Sequence, residues 1–123
     1  SRTIAGHSLG GLFATYVMLE KPRLFSNYII ASPAWWWDDD ILLLQLKARK
    51  NMVMPDGKIL LGIGENETKR MRYSTAKLNT LLRKKTKQKD CFRFERMEGC
   101  DHFTVIPVLI LKSLLFLFPN ASE

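Results

Sequence analysis

The segment Gly6-His7-Ser8-Leu9-Gly10, followed at once by Gly11, stands between a short β-like run and an amphipathic pattern of helical period. It restricts the possible folds more than any other part of the chain. Gly-x-Ser-x-Gly between a strand and a helix is a nucleophile elbow, a strained turn that lifts the serine hydroxyl above the edge of a sheet. The glycines two before and two after the serine leave room for backbones that crowd together, and the N-terminus of the following helix stabilises a developing oxyanion. The main-chain N–H of Leu9 is the expected oxyanion donor.

The remaining chain alternates strand and helix signals in a way that suits this turn. The first strand is short, Arg2 to Ala5, and a helix follows from about Leu9 to Glu20, with Leu12, Phe13, Tyr16 and Val17 expected against the sheet and Pro22 marking its end. Asn27 to Ala31 is a strand stopped by Ser32-Pro33, and Asp38, Asp39 and Asp40 open a helix reaching about Arg49, their charge suiting its dipole. The Pro55-Asp56-Gly57 turn introduces a strand from Lys58 to Ile63, left at Gly64. Thr68 to about Lys85 is helical, with Met71, Leu78, Leu81 and Leu82 facing inward. Cys91 to Glu95 alternates as a strand, Gly99 breaks it, and a last helix runs from about Thr104 to Phe118 with Pro107 in its first turn. The order β-α-β-α-β-α-β-α with right-handed crossovers predicts an α/β fold of about four parallel strands with helices on both faces.

Composition narrows the function classes. A chain of 123 residues, 46% hydrophobic and 25% charged, fits one globular domain and excludes disorder or collagen-like repeats. Cys91 and Cys100 are too few for a disulfide framework or a four-ligand zinc site, and no metal or organic cofactor is implied. The net charge of +7 has a local source in Arg83–Lys89, RKKTKQK, which has no interleaved aromatics to stack bases and reads as a solvated helix end, so no nucleic acid is expected. Val105–Phe118, interrupted by Lys112 and Ser113, is shorter than the roughly 20 residues needed to cross a bilayer and reads as a buried helix, so no membrane is expected either. The N-terminus shows no signal-peptide pattern, which favours the cytoplasm while leaving periplasmic or secreted placement open. The glycosylation sequons at Asn66 and Asn120 are short enough to arise by chance.

A serine nucleophile needs a base, and the chain has two histidines. His7 adjoins Ser8 and points away around the turn, which places it with the substrate-binding residues. His102, in the loop Gly99-Cys100-Asp101-His102-Phe103 between the last strand and last helix, occupies the place of the base in the chain order serine, acid, histidine. The acid is expected in Gly64-Glu65-Asn66-Glu67. Glu67, three residues after a glycine, is the first choice, and Glu65, nearer the strand end, is the alternative. Asp101 is expected to face solvent. Trp35, Trp36 and Trp37 leave the second strand on the elbow rim, where open α/β sheets bind ligands. Trp35 and Trp36 are candidates for the substrate pocket, with core packing as the other reading.

The runs IAGHSLGGLFATYVMLEKPRLFSNYIIASPAWWWDD, LLGIGENET and EGCDHFTVIP resemble consecutive landmarks of the putative esterase family of α/β hydrolases, which takes in enterochelin-type siderophore esterases, the esterase D group and mycolyltransferases. The resemblance implies a pocket wall from Ser32 to Trp37 and a larger sheet. Residues 1–123 would then be the C-terminal half of a single α/β-hydrolase domain, beginning inside the nucleophile strand. The missing N-terminal half would include the loop that donates the second oxyanion N–H. The implied function is hydrolysis of a small-molecule carboxylic ester, siderophore-type or related, through an acyl-enzyme. Acyl transfer with the same residues, and a non-catalytic binding or structural fragment, are the alternatives.

Overall fold

Runs such as Tyr28–Ala31 and Ile59–Ile63 are apolar on both faces, the composition of strands covered on both sides. In the computed structural model, which describes residues 1–35 and 40–119, they form the centre of one parallel sheet. Its strands are β1 (Thr3–His7), β2 (Asn27–Ala31), β3 (Ile59–Gly64) and β4 (Phe92–Met97), in the spatial order β1-β2-β3-β4. Gly6 lies opposite Ile30, Ile30 opposite Leu61, and Leu61 opposite Phe94. The helices are α1 (Leu9–Glu20), α2 (Ile41–Ala48), α3 (Lys69–Lys85) and α4 (Val105–Leu117).

Strand alternation divides the core into two layers. Tyr28, Ile30, Ile59, Leu61 and Phe92 face α1, α2 and α3, where Ala14, Val17, Met18, Leu43, Leu46, Leu78 and Leu82 close the packing. Ile29, Ala31, Leu60 and Met97 face the other way, against Val105, Leu109 and Phe116 of α4. Of the described helices, three thus share one face and one covers the other. β1 pairs with β2 alone among the described residues. Beside it, between the strand and α4, an open apolar groove of about 190 Å³ is lined by residues that include Ala5, His7, Ile106 and Ile110.

Several boundaries differ from those the sequence implies. β1 continues to His7, β3 to Gly64 and β4 to Met97, while a short 3₁₀ turn, Lys89–Cys91, precedes β4. The α1 face is rotated from the expected one: Ala14, Val17 and Met18 are buried, Leu12 packs at the margin, and Leu9, Phe13 and Tyr16 form an exposed stripe. α1 is apolar on almost every side, so periodicity could not select the buried one. α2 begins at Ile41 rather than in the aspartate cluster. Asp40 adopts a left-handed conformation (φ 61°) and makes no side-chain capping bond, while Asp38 and Asp39, with Trp36, Trp37 and Asn120, lie outside the described residues. α4 is half-exposed rather than buried, with Ile110, Leu111, Leu114 and Leu115 outward. Among the described residues no helix is long and apolar enough to cross a membrane.

Because the strands are parallel, their C-terminal ends share one rim. That rim receives His7 and Ser8 from β1, Ser32 from β2, the 64–67 loop from β3 and the 97–104 loop from β4. The basic run ends α3, which returns along the sheet, so it lies at the opposite edge.

Candidate active site

Ser8 occupies φ 60°, ψ −116°, a conformation that costs a non-glycine residue on the order of 1–3 kcal/mol. Its neighbours hold it there. Ser8 N–H donates to the Ala31 carbonyl at 2.9 Å, and the Ser8 carbonyl accepts from Leu12 N–H at 3.0 Å and Ala34 N–H at 3.1 Å. A Cβ on Gly6 would stand 2.0 Å from the Gly10 carbonyl oxygen, and one on Gly11 2.9 Å from the Ala31 carbonyl oxygen. A Cβ on Gly10 would meet nothing within 4 Å. The crowding therefore falls on Gly6 and Gly11, and Gly10 contributes only the backbone that Gly6 must clear, which corrects the expectation for that position. Leu9 opens α1, so its N–H has no intrahelical acceptor and is available at the rim.

The β3 and β4 loops are knitted together by main-chain bonds. Glu65 N–H donates to the Met97 carbonyl and Asn66 N–H to the Cys100 carbonyl, both at 2.9 Å. Gly64 passes so close to the second loop that a Cβ there would lie 2.4 Å from the Cys100 carbonyl oxygen. This approach turns Glu67 inward. Its carboxylate is buried, with Oε1 2.6 Å from His102 Nδ1, and Oε2 accepting from Ser32 Oγ at 2.5 Å and from Gly64 N–H at 2.6 Å. A carboxylate only accepts, so His102 carries a hydrogen on Nδ1, and in the neutral ring the lone pair is then at Nε2. Glu65 goes elsewhere: Oε2 accepts from Gly99 N–H at 3.0 Å, and Oε1 lies 4.0 Å from Arg96.

Asp101 is exposed but not idle. Its carboxylate accepts from the amides of Thr104 and Phe103 at 2.8 Å and from the Thr104 hydroxyl at 3.0 Å, bonds that hold its pKa below the usual carboxylate value. The turn that carries His102 is thereby fixed at the entrance to α4. On its other side stands His7, whose Nε2 lies 2.5 Å from the His102 carbonyl oxygen. Ser8, Glu67 and His102 thus come to one rim, and Glu67 and His102 are in direct contact. Ser8 Oγ makes no hydrogen bond among the described residues.

Residues 1–105 match the family described as Putative esterase. The chain belongs to the putative esterase family. Among its relatives is the ferri-bacillibactin esterase BesA of Bacillus subtilis (strain 168), 34% identical in an alignment 121 residues long that covers 94% of this chain and 42% of BesA. The BES protein of Bacillus cereus superposes with a TM-score of 0.79 at 30% identity, over 94% of this chain and 44% of the other. The siderophore hydrolase EstB of Aspergillus nidulans superposes with a TM-score of 0.79 at 26% identity, over all of this chain and 50% of EstB. The four parallel strands and flanking helices are therefore an α/β-hydrolase fold, and the chain spans half or less of the length of these relatives.

Within this esterase-family rim, Trp35 departs from its expected place. It is buried among the side chains under α1, α2 and α3, so its ring packs the core. Trp36 lies outside the described residues. Ser32, expected in a pocket wall, instead points its hydroxyl at Glu67 from φ 43° and is wholly buried. The signal was present in the sequence, since a serine directly after β2 must lie beside the end of β3 in a parallel sheet. Ser32→Ala leaves the buried carboxylate short of one donor and is expected to lower stability by about 1.5–3 kcal/mol, the value of a hydrogen bond to a charged group. Denaturant unfolding of the full-length protein checks this, and an unchanged midpoint would show that Ser32 contributes nothing to holding Glu67.

Proposed function

We propose that the protein hydrolyses carboxylic esters through an acyl-enzyme on Ser8, with His102 as general base and acid and Glu67 as the residue that orients it. The observation that carries this reading is the 2.6 Å contact between His102 Nδ1 and the buried Glu67 carboxylate, on the rim where Ser8 tops its strained turn. His102 Nε2 removes the Ser8 hydroxyl proton as Oγ attacks the ester carbonyl carbon. The carbonyl oxygen becomes an oxyanion beside the Leu9 N–H, at the positive end of α1. Collapse expels the alcohol, which takes the proton from His102. Water, deprotonated by His102, then attacks the acyl carbon; the bond to Oγ breaks, Ser8 regains its proton, and the carboxylic acid leaves.

The substrate we propose is a small-molecule ester of the siderophore type. What supports it is family membership together with the relatives BesA and EstB, a ferri-bacillibactin esterase and a siderophore hydrolase. The activity is proposed for the protein with the sheet completed beyond β1, because these relatives are about twice as long.

The role of the acid is tested by comparing Glu67→Gln with Glu65→Gln in the full-length protein. A glutamine at 67 can offer an amide N–H where His102 needs an acceptor, so turnover and fluorophosphonate labelling of Ser8 should both slow, by less than in Ser8→Ala. Glu65→Gln should keep turnover within about threefold, since its bonds are exposed and do not touch His102. A larger loss at 65 than at 67 would transfer the role to Glu65, and failure of the parent protein to label at Ser8 would end the serine reading.

A further inference from the structure

We propose that His7 is a positioning residue that sets the place of the general base by holding the main chain of His102 from the elbow side. The inference rests on the serine-hydrolase reading above and adds to it a role for the residue before the nucleophile.

His7 ends β1, and strand alternation sends its side chain to the α4 face, away from the side on which Gly6 meets α1. The ring reaches the turn between β4 and α4, with Nε2 2.5 Å from the His102 carbonyl oxygen. A carbonyl can only accept, so His7 carries a hydrogen on Nε2 and donates it. The two imidazoles lie with centroids 4.5 Å apart and planes inclined by 39°. Among the described residues no backbone N–H reaches that carbonyl: Val105 N–H bonds to Asp101 and Ile106 N–H to Phe103. His102 is consequently held at two points, its ring by Glu67 and its backbone by His7.

The consequence lies in where His7 is attached. It is the residue next to Ser8, so the separation between the nucleophile's backbone and the base's backbone is spanned by one side chain and one hydrogen bond. A substitution that removes the bond leaves the Glu67 contact intact but lets the His102 backbone drift relative to Ser8. A misplacement of about 1 Å can lower a rate by about 10²-fold without altering substrate binding.

The test uses the full-length protein and a p-nitrophenyl ester, with Ser8→Ala measured alongside. His7→Leu fills the space without a donor, and His7→Gln offers an amide N–H near the position of Nε2 without a ring. His7→Leu is expected to lower kcat by about 10- to 100-fold with KM within about threefold, and His7→Gln to return kcat to within about fivefold of the parent. A His7→Leu kcat within about twofold of the parent, or a His7→Gln enzyme no faster than His7→Leu, overturns the proposal. If His7→Leu does not fold, His7→Phe keeps an aromatic ring without the donor, and equal kcat for His7→Phe and His7→Gln overturns it too. Turnover that survives in Ser8→Ala removes the serine reading and this role together, whereas an inactive Ser8→Ala beside an unaffected His7→Leu removes the role of His7 alone.

Discussion

Replacement of Ser8 or of His102 by alanine in the full-length protein is expected to lower kcat for a p-nitrophenyl ester by about 10⁴-fold or more. Each change removes a member of a unit in which proton transfer and bond formation occur together, so either loss disables the whole. The two should cost comparable amounts and should add little when combined. Neither is expected to unfold the protein. Alanine at 8 keeps the backbone bonds of the elbow, which run through Ser8 N–H and carbonyl, and His102 is held in a turn that Asp101 caps independently. Steady-state turnover with a melting curve for each variant separates chemistry from folding, and a loss smaller than tenfold at either site in a folded protein would refute the assignment.

Residues 1–123 expressed alone are expected to turn over esters at least 10²- to 10³-fold more slowly than a protein extended upstream, and to self-associate. Among the described residues no strand pairs with the outer edge of β1, and parallel sheets do not leave such an edge open to water. Leu9, Phe13 and Tyr16 on α1, and Ile110, Leu111, Leu114 and Leu115 on α4, are all exposed, and they leave apolar surface on both faces of the sheet. The rate estimate comes from the oxyanion: the Leu9 N–H is one donor, and loss of a second is worth about 10²–10³ before any change in folding. Size-exclusion chromatography, thermal melting and turnover of the two proteins decide the matter. A monomer with a cooperative melt and turnover within tenfold of the longer form would show that four strands suffice.

The α/β alternation and the parallel order were legible because the elements carried punctuation: Pro22 after α1, Ser32-Pro33 after β2, Gly64 at the end of β3 and Gly99 after β4. The elbow was legible because strand, glycines and helix agreed. What failed depended on the neighbour an element meets. Phe13 and Tyr16 have helical spacing as good as that of Val17 and Met18, and only the path of α1 over β2 decides between them. Trp35 and Ser32 both follow β2 at the rim, yet one turns into the core and the other toward Glu67, a difference set by the positive φ of Ser32. For the two glutamates of the 64–67 loop, the spacing after a glycine ranked Glu67 first and left Glu65 as the alternative. What spacing did not contain is the contact each makes: Glu67 turns inward to Ser32, Gly64 and His102, while Glu65 turns to Gly99 and Arg96.

Among the described residues the sheet runs in chain order, each strand beside the one made before it. On a ribosome this becomes a schedule. Ser8 is synthesised before Glu67, and His102 follows 94 residues after the serine. At translation rates of about 5–20 residues per second that interval lasts about 5–20 s. Throughout it the nascent chain holds a serine on a turn that has no base to activate it and no finished β4 loop to pack against. On the proposed assignment, reactivity is therefore conferred by the last of the four strand ends to be made, and a polypeptide interrupted before that point is chemically inert however well its elbow has formed.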